Sequence, residues 1–241
     1  MNALVACEES QRVTMALRAL GVNAFSCDID VPSGGHPEWH IQQDVIPLIN
    51  GDCSFTTNGG GHHEIVGPWD LLIAHPSCTY LTTAGAVRLR VKGKIQQERY
   101  QKGLEAKAFF MAFYNARCAH ICVENPTPIK LYQLPPYSQI IQPWQFGHAY
   151  TKRTCLWLRG LPLLTPTQII TEGIQPWVNG GNKDAHGNYR QFKGRNERDP
   201  KNRSKTFPGI AQAMAEQWVS FIRQEQTEWL NQLLKEGDRK T

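Results

Sequence analysis

The stretch Trp69-Asp-Leu-Leu-Ile-Ala-His-Pro-Ser-Cys78-Thr-Tyr-Leu81 reads as a buried strand, Leu71 to Ala74, that ends by presenting a cysteine. A short, wholly apolar run bounded by polar residues and proline is the pattern of a strand covered on both faces. The pre-proline position holds His75 extended and Pro76 restrains the chain, so the thiol of Cys78 is aimed. A second apolar run, Ala119 to Val123, ends in Glu124-Asn125-Pro126. As neighbouring strands, the two runs would bring a thiol and a carboxyl together at the C-terminal edge of a sheet, where open α/β folds build their sites.

Toward the N-terminus, Ala3 to Cys7 is a short apolar strand, and Ser10 is expected to cap a helix carrying Val13, Leu17 and Leu20 up to Gly21. Asn23 to Cys27 forms a second strand ending at Asp28, and His40-Ile-Gln-Gln a short third that leads to Asp44. Gly51 to Gly67 is a turn-rich surface excursion. After Cys78 comes a loop bearing Arg88, Arg90, Lys92 and Lys94. A helix is expected over Gln101 to Arg117, with Leu104, Ala108, Met111 and Phe113 toward the sheet. Beyond Pro126, Ile140-Ile141 and Thr154 to Leu158 are two more strands, Thr165 to Arg203 is loop-like, and Pro208 to Leu234 is a long helix or a helix pair. This alternation predicts an α/β fold with a doubly wound, mostly parallel sheet. One domain spans residues 1–241, with a short loop-rich insertion over 165–205.

A net charge of +5 over 241 residues suits a polyanionic partner without requiring one. Seven cysteines scattered singly make no disulfide framework and imply a reducing compartment. There is no basic leader and no run of about 18 apolar residues, so a soluble, cytoplasmic protein without membrane contact is expected. His36, His40, His62, His63 and Cys53 match no zinc spacing, and no metal is expected. Cys118 and Cys122 are expected on one face of a buried strand, as packing. Basic residues from Lys183 to Lys205, interleaved with Trp177, Tyr189 and Phe192, suit contact with a nucleic-acid backbone and a stacked base.

A nucleophilic cysteine needs thiolate character, which the basic loop from Arg88 to Lys94 is placed to supply in part. A carboxyl beside it suits attack on an electron-poor ring. These residues carry a resemblance. Pro76-Ser77-Cys78 resembles the proline-cysteine motif of the DNA cytosine-5 methyltransferases, and Glu124-Asn125-Pro126 resembles their Glu-Asn-Val motif. Val5-Ala-Cys-Glu-Glu-Ser10 stands where that family has its Phe-x-Gly-x-Gly loop, and Thr206 to Met214 looks like its terminal Gly-Asn-Ala-Val element. Through AHPSCTYL (74–81), ENP (124–126), IIQPWQFGH (140–148), TKRTCLWL (151–158) and TFPGIAQAMAEQW (206–218), nearly the whole chain resembles the small phage and prophage cytosine methylase-like proteins.

The resemblance implies a Rossmann-like, S-adenosylmethionine-dependent methyltransferase that acts on DNA as a monomer in the bacterial cytoplasm. Cys78 would add to carbon 6 of a flipped cytosine, and Glu124 would contact N3 and the exocyclic amine while carbon 5 is methylated. Asp28 would accept the cofactor's ribose hydroxyls and Asp44 its adenine amine. Cys7, Glu8 and Ser10 would face the methionine part, Glu8 taking its amine, with Pro76 also on the cofactor side. Asn125, Arg88, Lys152 and Arg153 would serve the substrate, Lys152 and Arg153 standing in for the family's Gln-x-Arg-x-Arg motif. The insertion over 165–205 takes the place of a target-recognition domain. Two alternatives stay open: a non-catalytic phage decoy on the same fold, and a pyrimidine-modifying enzyme that acts on nucleotides or with another donor.

Overall fold

The computed structural model describes residues 1–86, 88–177 and 199–238. Seven segments pair into one sheet: β1 (Asn2–Ala6), β2 (Asn23–Asp28), β3 (His40–Gln42), β4 (Leu71–Ala74), β5 (Ile121–Pro126), β6 (Gln139–Ile141) and β7 (Thr154–Arg159). Their order is β6-β7-β5-β4-β1-β2-β3. The five strands from β3 to β5 are mutually parallel, and β7 is antiparallel to both its neighbours. The chain therefore winds outward from β1 through β2 to β3, then returns to β4 on the other side of β1. That reversal creates a switch point between β1 and β4, the crevice in which doubly wound sheets bind ligands.

Alternation along the strands divides the core in two. Ala3, Val5, Leu71, Ile73 and Cys122 face helix α1 (Arg12–Ala19) and the C-terminal helix α3 (Pro208–Asp238), where they meet Val13, Leu17, Met214, Trp218 and Ile222. Leu4, Phe25, Leu72 and Val123 face helix α2 (Gln97–Tyr114), packing with Phe110, Phe113 and Trp157. Both faces are covered, which is why these strands are uninterrupted apolar runs.

Several expectations are corrected. The Gly51 to Gly67 segment holds a hairpin, Cys53–Thr56 with His62–Ile65, whose Phe55 and Ile65 are buried in the core. Helix α2 starts at Gln97 and turns Gly103, Phe110 and Phe113 inward, while Ala108 is exposed. Strand β5 runs on through Glu124, Asn125 and Pro126, because β7 pairs with it from Ile121 to Pro126, beyond the point where β4 stops. Cys118 precedes that strand and packs on the α2 side, whereas Cys122 packs on the α1 side. The basic loop is a tight hairpin, Arg90–Val91 with Lys94–Ile95, turning at Lys92 and Gly93 with positive φ of 48° and 80°.

Within the Thr165 to Lys205 region, Gln175–Pro176 pairs with Tyr150–Thr151, and Pro200–Ser204 forms one helical turn. Lys183, Tyr189 and Phe192 lie outside the described residues. No described helix is long and apolar enough to cross a membrane, and no described group of three or more His, Cys, Asp or Glu could hold a metal.

Trp218 is fully buried and its indole Nε1 donates to the Pro162 carbonyl at 3.0 Å. Removing that ring should cost about 3–5 kcal/mol. Urea unfolding of Trp218→Ala is expected to show this loss, whereas a change below about 1 kcal/mol would mean that α3 is not part of the core.

Candidate functional site at the carboxyl ends of three parallel strands

The register Ala6↔Ala74 and Ala74↔Val123 sets three chain segments side by side at one edge of the sheet: Cys7-Glu8 after β1, His75-Pro76 after β4, and Glu124 in β5. The His75 amide continues the ladder to the Ala6 carbonyl at 2.9 Å. His75 Nδ1 lies 3.1 Å from Glu124 Oε2, and the two side chains are only 11% and 14% exposed. His75 Nε2 is buried and has no hydrogen-bond partner among the described residues.

Glu8 is buried on the other flank of His75, and its carboxylate closes the start of α1. Its Oε1 accepts the Val13 amide at 2.6 Å, and its Oε2 accepts the Thr14 amide at 3.2 Å and the Thr14 hydroxyl at 2.7 Å. Ser10 does not cap this helix: the N-cap position falls on Gln11, and the capping oxygens come from Glu8. Burial pushes the Glu8 carboxyl up, while the charge of His75 and the helix donors pull it back.

The loop reaches this shape without glycine. Cys7 and Gln11 adopt left-handed backbone at φ 58° and 57°, at a cost of about 1–2 kcal/mol each. Gln11 is held there by its side chain, which donates to the His36 carbonyl at 2.8 Å and accepts the His36 amide at 3.1 Å. In dinucleotide-binding sheets a phosphate sits at this helix start. Here Glu8 fills that place with negative charge, which suits a cofactor that brings no phosphate to the helix.

On the β2 side of the crevice an acidic corner forms. The Cys7 thiol is pushed well up by burial, then by the charge of Asp28, by Cys27 and by Asp44, which places both acids near it. Asp28 is half-buried, its carboxyl is raised by desolvation, and its Oδ1 accepts the Asp30 amide at 3.0 Å. Asp44 is exposed and its Oδ1 accepts the Ile46 amide at 3.1 Å. Ser10 is buried in the β1–α1 loop.

On the other side stand Cys78 and Glu124. Asn125 Nδ2 donates to the Pro76 carbonyl at 2.8 Å, so the strand bearing the carboxyl pins the loop bearing the thiol. The loop is further tied by Thr82 Oγ1 to the Cys78 carbonyl at 3.0 Å and by Thr83 N to the Thr127 carbonyl at 3.1 Å. Cys78 is exposed at the rim. Partial desolvation and then the Glu124 charge raise its thiol pKa, against the pull of Lys152 and Arg203. At neutral pH it therefore rests as a thiol.

Burial alone would raise the Glu124 carboxyl, but the bond and charge of His75, with Lys152 and the Thr154 hydroxyl, hold it below the usual range. Lys152 is itself lowered, chiefly by desolvation, which outweighs the pull of Glu124 and Cys78; Arg12 and Arg203 add a smaller repulsion in the same direction. Its Nζ donates to the Ser204 and Lys205 carbonyls at 3.4 and 3.3 Å. The space in front of Glu124, bounded by Lys152, Thr154, Thr206, Phe207, Ile210 and Met214, is only about 10 Å³.

The structure places the expected cations differently: Lys152 stands beside Glu124 and Cys78, Arg153 is exposed and acts on Cys155, and Arg88 is exposed on the loop that follows Cys78. The residues overlooked in the sequence are His75, Arg12, Arg203 and Thr154. For His75 a signal existed: it is the first residue after a buried apolar run, and the two neighbouring apolar runs are each followed within two residues by a glutamate, Glu8 and Glu124. Arg12 and Arg203 arrive from distant segments, and nothing local marks them.

No protein-family model matches the chain, and no curated protein does. Among solved structures it is similar to a protein described as a DNA modification methyltransferase encoded within a prophage (E. coli), at 12% identity and a TM-score of 0.42, covering 70% of this chain and 52% of that one. The methyltransferase EhMeth of Entamoeba histolytica is similar at 11% identity and a TM-score of 0.37, over 70% of this chain and 57% of that one. The chain spans little more than half the length of either. Likeness this distant does not identify a reaction.

Replacing His75 with Ala leaves Glu124 buried without its closest partner, which should cost about 3 kcal/mol at pH 7. With His75 present the folded carboxyl titrates below its unfolded value of about 4.5, so its contribution is complete above that pH and is lost as the pH falls through the folded value. The gap between wild type and His75→Ala should therefore narrow on acidification. Urea unfolding at pH 7 and pH 4 checks this, and a gap that is constant or widens in acid would contradict it.

Proposed function

We propose that the protein is a cytosine-modifying enzyme that transfers a methyl group from S-adenosylmethionine to carbon 5 of cytosine in DNA, through a transient bond from Cys78 to carbon 6. The observation that carries this reading is a thiol on the loop after β4 beside a buried carboxylate of the neighbouring strand β5 that is hydrogen-bonded to His75, loop and strand being tied by the Asn125–Pro76 hydrogen bond. The family resemblance of the two motifs points the same way.

Cys78 gives up its proton and its sulfur bonds carbon 6, while N3 gains a proton, so the adduct is neutral and carbon 5 becomes electron-rich. Glu124 accepts hydrogen bonds from N3–H and from the exocyclic amine, stabilising the protonated ring edge as charge develops. His75 keeps the carboxylate oriented. Because Cys78 rests as a thiol, its attack is coupled to that proton transfer. The carbon 5 proton then leaves to solvent as the carbon 6–sulfur electron pair returns to sulfur, and the N3 proton passes back to Cys78, which restores the ring as 5-methylcytosine and frees the thiol.

The cofactor crevice fits S-adenosylmethionine on its donor set: the helix start where a phosphate would bind is filled by Glu8, and Asp28 and Asp44 offer acceptors beside Cys7. When bound, S-adenosylmethionine supplies the methyl group that carbon 5 takes. Asp28 would hold the ribose hydroxyls, Asp44 the adenine amine, and the Cys7 to Ser10 backbone with Pro76 the methionine end. With both Glu8 oxygens engaged by α1, the amine would be met by backbone carbonyls. Entry of a base requires Thr206 and Phe207 to move from in front of Glu124, since the present space is far smaller than a pyrimidine.

DNA from cells expressing the protein should contain 5-methylcytosine by nucleoside mass spectrometry, and Cys78→Ala should abolish it. An unchanged yield in that variant would overturn the reading. Glu124→Gln should lower kcat by about 100-fold or more. In calorimetric titration, Asp28→Ala should weaken S-adenosylmethionine binding about tenfold, as expected for loss of a charge-assisted hydrogen bond; equal affinity would move the ribose elsewhere.

A further inference from the structure

A cavity of about 270 Å³ opens between the start of α1 and the segment leading into α3, lined by Arg12, Trp177, Asn202, Lys205 and Phe207. It shares Phe207 with the narrow space in front of Glu124, so the two adjoin. Its charge is unbalanced. Among the described residues neither Arg12 nor Lys205 takes part in a salt bridge. Arg12, Lys152 and Arg203 stand close enough for the two arginines to act on the Lys152 charge, with Glu124 the acid facing them.

Chain segments do not gather cations at a half-buried rim without cost, and an anion placed among them removes the repulsion. The remaining walls are aromatic. Trp177 meets Phe207 and Tyr150 edge-on, at 4.9 and 4.8 Å between ring centres. Its Nε1 is buried away from water, so the ring lines the cavity as an apolar wall rather than as a donor. Guanidinium and ammonium donors, an amide and flat aromatic walls together suit a phosphate carried on a sugar. The volume lies just under that of ordinary small-molecule sites, about 300–1,000 Å³, so it admits one such unit and not a length of duplex.

We infer that Arg12, Lys205, Asn202 and Trp177 form a subsite for the phosphate of a nucleotide unit, seated beside the Cys78–Glu124 pair. That the unit is a cytidine nucleotide rests on the proposed function; that a phosphate binds here does not. The phosphate belongs either to the DNA strand flanking the target base or to a free nucleotide.

Calorimetric titrations of the full chain with deoxycytidine, deoxycytidine 5′-monophosphate, deoxyadenosine 5′-monophosphate and a short single-stranded cytosine-containing oligonucleotide test this. At least one phosphorylated compound should bind tenfold or more tightly than deoxycytidine. Arg12→Gln and Lys205→Gln should each remove about tenfold of that affinity. Tight binding of the monophosphate assigns a free nucleotide; tight binding of the oligonucleotide alone assigns a strand phosphate, and its salt slope should then fall by about one in each variant.

Because Arg12 also donates to the Thr206 carbonyl at 2.8 Å, Lys205→Gln carries the test if the Arg12 variant does not fold. Phosphorylated compounds that bind no better than deoxycytidine, or wild-type affinity in Lys205→Gln, would overturn the subsite. If adenine and cytosine nucleotides bind equally and both weaken in the variants, the subsite stands and the cytosine reading falls.

Discussion

The parallel register of β4 between β1 and β5 is the constraint on which the site depends. Ala74 lies opposite Ala6 on one side and Val123 on the other, so Glu8, His75 and Glu124 follow in a row along the strand ends. A slip of one residue would turn each strand's core face to the opposite side and take His75 out of reach of Glu124. Register is enforced by burial on both faces, since every residue of β4 is fully enclosed. Because these strands run parallel, their carboxyl ends all fall on one edge.

Around that row the charges are divided. Toward β2 the crevice is acidic, with Asp28 and Asp44 beside Cys7; toward β7 it is basic, with Arg12, Lys152 and Arg203 near Cys78 and Glu124. One side suits hydroxyl and amine donors, the other suits a polyanion. His75 sits on the boundary and pulls both glutamates down against burial, holding Glu124 low while Glu8 stays raised. The glycine-free loop fits this division, because Glu8 supplies both the cap for α1 and the negative charge at the head of the crevice.

Much of the parallel half was legible in the residues, because strands buried on both faces are short apolar runs that end where polarity returns. Leu71 to Ala74 matched to the residue, and Cys78 and Glu124 stood out because a reactive group directly after such a run has few structural excuses. What was not legible depended on partners distant in sequence. Strand β5 extends past Val123 because β7 pairs with it, and the capping of α1 falls to Glu8 because a left-handed Gln11 turns the carboxylate onto the helix. The cations nearest Cys78 come from Lys152 and Arg203, not from the basic hairpin that follows it in the chain. Local charge density misled there, since a tight hairpin turns its side chains to solvent.

The central claim is that Cys78 bonds carbon 6 of a cytosine held by Glu124. An oligonucleotide bearing 5-fluorocytosine tests it most directly, because fluorine at carbon 5 cannot leave as a proton does and the adduct persists. With S-adenosylmethionine present, intact-mass spectrometry should show protein joined to oligonucleotide through a peptide that contains Cys78, and no adduct in Cys78→Ser. The absence of an adduct under conditions where both ligands bind, or an adduct on another cysteine, would contradict the account.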